Sequence, residues 1–143
     1  MIGVKEIHKI LLGFFESHMQ INGVYAYDVK GFISDPEKAY TAANIQYYDS
    51  NVNGKVQTFN FQITLADLLT PSKDNELDIY DSTLAIAEDF LTFLQYHNSF
   101  NFTNNAFMTN FSDSDGDRIA GVTFRISLQV IRRQNLCVVP ILS

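Results

Sequence analysis

The chain has its most regular pattern between about Arg118 and Arg133, where apolar and polar residues alternate. The apolar positions are Ala120, Val122, Phe124, Ile126, Leu128 and Val130. The positions between them are Gly121, Thr123, Arg125, Ser127, Gln129 and Ile131. A period of two residues is typical of an antiparallel strand with one face on the core and the other towards solvent. The pattern therefore predicts one long strand.

Other segments also have the composition of strands, and a turn signal joins two of them. Ala43–Asp49 and Lys55–Leu65 flank the dipeptide Asn53-Gly54, which favours a tight hairpin turn. The second segment alternates as well, with apolar residues at Phe59, Phe61, Ile63 and Leu65. We expect an antiparallel hairpin here, and further strands at Val24–Ile33 and Ala106–Phe111.

Two segments repeat their apolar residues at helical spacing. Val4–Met19 predicts an amphipathic helix, and a second helix is expected to begin at Asp81 or Ser82 and end at about His97. The apolar side of the second helix is wide, which favours packing across a sheet. The predicted fold is α+β, a mainly antiparallel β-sheet with two α-helices packed on it, in a single domain spanning residues 1–143.

Composition and charge narrow the possible partners. The 143 residues carry a formal net charge of −6, whereas binding to nucleic acid or to an anionic membrane needs a basic surface. Cys137 is the one cysteine, so no internal disulfide can form, and a reducing compartment is expected. Charged residues interrupt Met1–Gln20, which excludes a secretory signal there. We predict no membrane partner.

An acidic turn offers the most metal-like motif. Asp113, Asp115 and Asp117 alternate with Ser114 and Gly116, and carboxylates suit a hard cation such as calcium. The spacing departs from the EF-hand pattern, in which glycine stands sixth and glutamate twelfth. Acidic residues and glycine are also usual in solvated hairpin turns. We predict a turn and no metal site, and a cation at these carboxylates is the alternative.

Motifs for catalysis are absent from the sequence. His8, His18 and His97 have no spacing that would build a zinc pair, and the apolar neighbours of Cys137 predict a buried, unreactive thiol. The scattered glycines match neither a phosphate-binding loop nor a dinucleotide fingerprint. The chain is not predicted to be an enzyme, and no cofactor is predicted.

The C-terminal part of the chain suggests an assembly surface. Arg125, Arg132 and Arg133 lie on or beside the long strand, where they could protect a strand edge from aggregation or contact acidic loops of another subunit. No charged residue occurs from Leu136 to Leu142, although chain ends are usually polar. The predicted interface comprises Arg125, Arg132, Arg133, Leu136, Cys137, Val138, Val139, Pro140 and Ile141.

The order of these segments resembles that of a known family. A helix, a run of strands, the helix Asp81–His97, an acidic turn, the long strand and a closing Asn-x-Cys-x-x-Pro stretch resemble the tail-terminator and neck (head-to-tail connector) proteins of tailed bacteriophages. The residues that carry the resemblance are Asp115–Gly121, which open the strand Val122–Arg133, and Asn135, Cys137 and Pro140, which close it.

The resemblance implies a structural virion protein without catalytic activity. Its copies would form a homo-oligomeric ring at the tail end or neck and would contact other tail, neck or portal proteins. DNA would pass through the lumen without specific binding, and the protein would be assembled into the virion in the host cytoplasm. The negative net charge agrees with an acidic lumen wall.

Three alternatives remain open at this point. The chain could belong to another ring-forming assembly, such as a contractile injection apparatus. It could be a small non-viral α+β domain that binds a ligand or catalyses a reaction in a concave sheet. It could also bind a metal through Asp113, Asp115 and Asp117.

Overall fold

The computed structural model describes residues 3–34, 38–72, 74–103, 105–113, 118–132 and 140. In chain order these residues form α1 (Val4–Ser17), β1 (Gly23–Tyr25), α2 (Val29–Ser34), β2 (Ala42–Asn53), β3 (Val56–Leu68), α3 (Glu76–Tyr96), β4 (Asn101–Phe102), β5 (Thr109–Asp113) and β6 (Ile119–Ile131). A mostly antiparallel sheet thus combines with helices, and the prediction of an α+β fold is confirmed.

Strands β3 and β6 form the centre of the sheet. The strand order is β1-β2-β3-β6-β4, and β5 also pairs with β6. Pairing of β3 with β6 runs from Val56 opposite Ile131 to Leu68 opposite Ile119, so both strands are paired over their full length. β4 and β5 pair with opposite ends of β6, whereas β1 pairs with β2 in parallel. The predicted hairpin and long strand are both confirmed.

The turn of the hairpin lies one residue later than the sequence predicts. Asn53 still pairs with Val56, so the two turn residues are Gly54 and Lys55 rather than Asn53 and Gly54. A two-residue hairpin turn needs a positive φ at its first central position. Gly54 supplies a φ of 60°, which a residue with a Cβ rarely adopts.

The main core lies between the sheet and the helices α1 and α3. The predicted apolar residues of β3 and β6 are buried, as are Ile7, Leu11 and Phe15 of α1. Phe90 of α3 packs against both Phe15 and Phe124, with ring centroids 4.7 Å and 6.2 Å away. The expectation that the second helix packs across the sheet is therefore confirmed.

A short helix covers one end of the opposite sheet face. The predicted strand Val24–Ile33 is wrong after Tyr25, because Val29–Ser34 forms α2. The Asp28 carboxylate accepts a hydrogen bond from the Gly31 amide at 2.6 Å, which caps the first turn of this helix. Phe32 can then join a second buried cluster with Ala42, Ala66 and Ile119.

Helix α3 begins earlier than predicted, at Glu76 rather than at Asp81 or Ser82. The extra turn buries Ile79 against Leu69 and Ala120. Acidic residues in the first turn, Glu76 and Asp78, interact favourably with the positive end of the helix dipole. Among the other boundaries, α1 ends at Ser17 and β5 covers 109–113 instead of 106–111.

Gly121 lies on β6 beside the backbone of β3. Because there is no room for a side chain, adding a single methyl group at this position is predicted to lower the stability of the fold. A Cβ at this position would clash with the Leu65 carbonyl oxygen of the paired strand. We expect Gly121→Ala to lower the free energy of unfolding by about 2 kcal/mol or more, as overpacking does. Urea denaturation measures this change.

Gly13 provides the matched control for this substitution. It is exposed in α1, and nothing lies within 4 Å of a Cβ built there. Gly13→Ala should raise stability by up to about 1 kcal/mol, because alanine favours a helix over glycine. Equal effects of the two substitutions would contradict the proposed role of Gly121.

Candidate assembly surfaces

The structure describes three of the residues predicted to form an interface. Arg125, Arg132 and Pro140 are exposed. The remaining ones, Arg133, Leu136, Cys137, Val138, Val139 and Ile141, lie outside the described residues. In the predicted acidic turn, Asp113 is the last residue of β5 and pairs through its backbone with Ile119. Asp115 and Asp117 lie outside the described residues.

The sheet face opposite α1 and α3 carries a network of polar side chains. Gln62 Nε2 donates to Thr123 Oγ1 at 3.1 Å, which joins β3 to β6. The Ser127 hydroxyl donates to Asn60 Oδ1 at 2.6 Å, and Asn60 Nδ2 donates to Asp49 Oδ1 at 2.6 Å. These bonds link β2, β3 and β6 across a face that α2 covers only at one end. The result is a polar, partly exposed surface.

Arg125 lies on this polar face and contacts an aromatic ring. Its guanidinium is 4.7 Å from the centroid of the Tyr48 ring, within the range of a cation–π interaction. Tyr48 sits at the register shift between Tyr47 and Asp49, where a β-bulge re-aims its side chain. The exposed Arg125 therefore has a defined orientation on the sheet face. Its predicted role at a strand edge is wrong, because β6 is an inner strand of the sheet, and the predicted contact with another subunit stays a prediction.

One end of the sheet, which we call the tip, combines basic and apolar side chains. It comprises Val52, the turn Gly54-Lys55, Ile131 and Arg132. Val52 is 54% exposed and Ile131 is 70% exposed. The Arg132 amide donates to the Lys55 carbonyl oxygen at 2.8 Å, and its Nη1 donates to the Gly54 carbonyl oxygen at 3.3 Å. The Arg132 side chain is thereby held at the turn, where the Lys55 side chain is exposed.

The opposite end, which we call the base, combines acidic and apolar side chains. It comprises Asp67, Leu68, the segment Asp74–Asp78 and Arg118. Leu68 is 46% exposed and Leu77 is 75% exposed. Asn75 Nδ2 donates to the Leu68 carbonyl oxygen at 3.1 Å, which ties the start of α3 to the end of β3. Asp67, Asp74, Glu76 and Asp78 thus lie at the same end of the sheet as the two exposed leucines.

The outer edge of β2 is largely uncovered. β1 pairs only with Ala42–Asn44. Within the part of the chain that the structure describes, no strand pairs with the outer side of Tyr47–Asn53. Such an edge presents backbone donors and acceptors to another chain, and the bulge at Tyr48 limits where a partner strand can pair.

A Ser, a His and an Asp come together at the end of α1, but they do not form a catalytic arrangement. His18 Nε2 donates to Asp89 Oδ2 at 3.0 Å, and its Nδ1 accepts from the Gln20 amide at 3.2 Å. The Ser17 hydroxyl donates to the carbonyl oxygens of Gly13 and Phe14. Both ring nitrogens of His18 are occupied, so the ring cannot accept the Ser17 proton in this geometry.

The other histidines also make contacts that stabilise the fold. His8 Nε2 lies 3.3 Å from the Ile45 carbonyl oxygen, and the His97 ring stacks on Phe100 with centroids 4.8 Å apart. Among the described residues, no group of three or more His, Cys, Asp or Glu side chains could hold a metal ion.

Comparison with known proteins does not assign the chain to a family. No family model matches the chain, and no curated protein matches it either. A search of the described helices found none with the length and apolar character needed to cross a membrane.

Sequence reasoning missed the apolar residues of the tip and the base. Val52 directly precedes the predicted turn Asn53-Gly54, and Leu77 lies outside the apolar stripe of α3, so the sequence could have identified both residues as exposed. Leu68 could not be identified in this way, because its exposure depends on where β3 ends.

Tyr80, one turn after Glu76, gives the base a measurable response to pH. Burial raises the pKa of the Tyr80 phenol, and so do its hydrogen bond to the Glu76 carboxylate and the charge of that group. A raised folded-state pKa contributes stability that is fully present below the unfolded value of about 10 and is lost as the pH rises through the folded pKa.

We therefore expect the stability of the protein to fall above about pH 10, and to fall less in Tyr80→Phe. Denaturant unfolding across this pH range measures the difference, and tyrosinate absorbance follows the ionisation itself. Tyr96→Phe is the control, because Tyr96 is exposed and leaves the contact between Tyr80 and Glu76 intact. The same pH dependence in Tyr80→Phe and in the unmodified protein would contradict the assignment.

Proposed function

We propose that this protein is a structural component of a tailed-bacteriophage virion, whose copies form a ring at the tail end or neck. The ring joins or terminates the tail and lets DNA pass through its lumen. No catalytic step is part of this function. Other tail, neck or portal proteins are the proposed neighbours of the ring.

The observation that carries the proposal is the part of the sheet that the described residues leave uncovered. A strand of 13 residues spans about 43 Å, whereas the 21 residues of α3 span about 31 Å. The helix is too short to cover the strands from end to end. The distal half of the hairpin, the free edge of β2 and the polar face are thus available for contacts between copies.

The sheet face also agrees with a ring that DNA passes through. Its polar side chains largely satisfy one another, and its Arg125 is held against Tyr48. The net charge of −6 disfavours tight binding to phosphates. A surface of this kind would let DNA move past without retaining it.

The assignment to a phage rests on the resemblance in segment order. The order of α1, hairpin, α3 and long strand agrees with the resemblance, and α2 is an additional element. Asp115–Asp117, Asn135 and Cys137, which contribute to the resemblance, lie outside the described residues. A likeness in order and pattern is an associational argument, so assembly itself must be tested.

The purified protein should form closed rings. Electron microscopy of negatively stained particles and light scattering after size-exclusion chromatography would reveal the rings and their mass. Rings are expected because each copy presents different uncovered surfaces, as a closed head-to-tail assembly requires. A strict monomer at high protein concentration would overturn the proposal.

The uncharged C-terminal segment should be needed for assembly and not for folding. We expect removal of Leu136–Ser143 to leave the thermal unfolding transition unchanged while abolishing rings. A chain with glycine and serine at the same positions is the control, because it preserves length and removes the apolar side chains. If both variants still form rings, the segment is not part of the interface.

A further inference from the structure

The tip and the base are complementary in charge. The described cations of the tip are Lys55 and Arg132. The described charged residues of the base are four carboxylates, on Asp67, Asp74, Glu76 and Asp78, and the cation Arg118. Arg118 donates from Nη1 to the Pro71 carbonyl oxygen at 2.8 Å, so its side chain is engaged within the base loop. Opposite charges therefore predominate at the two ends.

Each end also has apolar surface that its own chain does not bury. Val52 and Ile131 project at the tip, and Leu68 and Leu77 project at the base. An interface needs apolar area for affinity and complementary charge for orientation and association rate. Both ends provide the two components.

The two ends cannot satisfy each other within one subunit. They lie at opposite ends of strands that span about 43 Å. Among the described residues, the only ion pair joins His18 to Asp89, so the carboxylates of the base have no ionic partner in that part of the chain. The exposed carboxylates of the base are therefore available to cations of another molecule.

We propose that copies of this protein associate end to end, with the tip of one subunit seated on the base of the next. This inference rests on the proposed ring and identifies its subunit interface. A second copy is the occupant favoured by these observations, because one chain carries both complementary surfaces, whereas an unrelated partner would require only one of them. Such a head-to-tail contact is heterologous and closes into a ring when the rotation between subunits allows it.

The interface can be tested by reversing the charge of each end. The tip variant carries Lys55→Glu and Arg132→Glu, and the base variant carries Asp74→Lys and Asp78→Lys. All four side chains are exposed, so folding should be preserved, and thermal unfolding checks this. Each variant alone presents like charges at both ends. We expect its assembly to require protein concentrations on the order of tenfold higher or more.

Complementation makes the test specific. An equal mixture of the tip variant and the base variant restores opposite charges at every contact, so mixed rings should form. A single chain with all four substitutions should assemble by itself. Lys5→Glu with Lys9→Glu is the matched control, because it changes the net charge as the tip variant does but lies on α1. This control should assemble normally.

The outcomes of these experiments distinguish the proposed end-to-end contact from the proposed ring. Loss of rings in each variant with recovery in the mixture supports the end-to-end contact. Rings in the tip or base variant as stable as those of the unmodified protein overturn the contact and leave the proposed function standing. Failure of the mixture to assemble, although both variants fold, also overturns it. A strictly monomeric unmodified protein rejects both the ring and the interface.

Discussion

The antiparallel pairing of β3 with β6 is the constraint on which the rest of the structure depends. It aligns two alternating sequences so that Phe59, Phe61 and Ile63 lie opposite Leu128, Ile126 and Phe124. One continuous apolar face results, and α1 and α3 bury it. A slip of one residue in this register would turn every apolar side chain towards the polar face. Gly121 is part of the same constraint, because a Cβ at this position would clash with the Leu65 carbonyl oxygen of β3.

The length of this pairing determines which surfaces remain uncovered. The central strands are longer than the helix that packs on them, so the sheet extends past its own core. The end of the sheet at the tip carries the exposed Val52 and Ile131. At the base, Leu68 at the end of β3 and Leu77 in the first turn of α3 are exposed. A single exposed apolar side chain is common on protein surfaces. Apolar side chains that lie together among charges of one sign are suited to contact with a partner.

The sequence predicts those strands in which one face is buried in the core along the whole length. β3 and β6 have one buried face, so alternation alone identifies them. Val24–Ile33 has strand-like composition, yet the Asp28 cap and the burial of Phe32 make its second half helical. Arg125 and Arg132 could be selected as charged residues near a strand. Their contacts with Tyr48 and Gly54 depend on a bulge and on a hairpin register, which arise only when distant segments pair.

The net charge of a protein does not show where its charges lie, and here the cations of the tip and the carboxylates of the base are concentrated at different ends of the sheet. The value of −6 suggests general repulsion between copies, yet the carboxylates of the base and the cations of the tip lie at opposite ends of one sheet. At a contact between tip and base the local charges attract, while screening at physiological salt weakens repulsion beyond about 8 Å. The proposed end-to-end contact is therefore the orientation that these charges favour. A sheet that keeps its two ends chemically different thus favours head-to-tail over two-fold association.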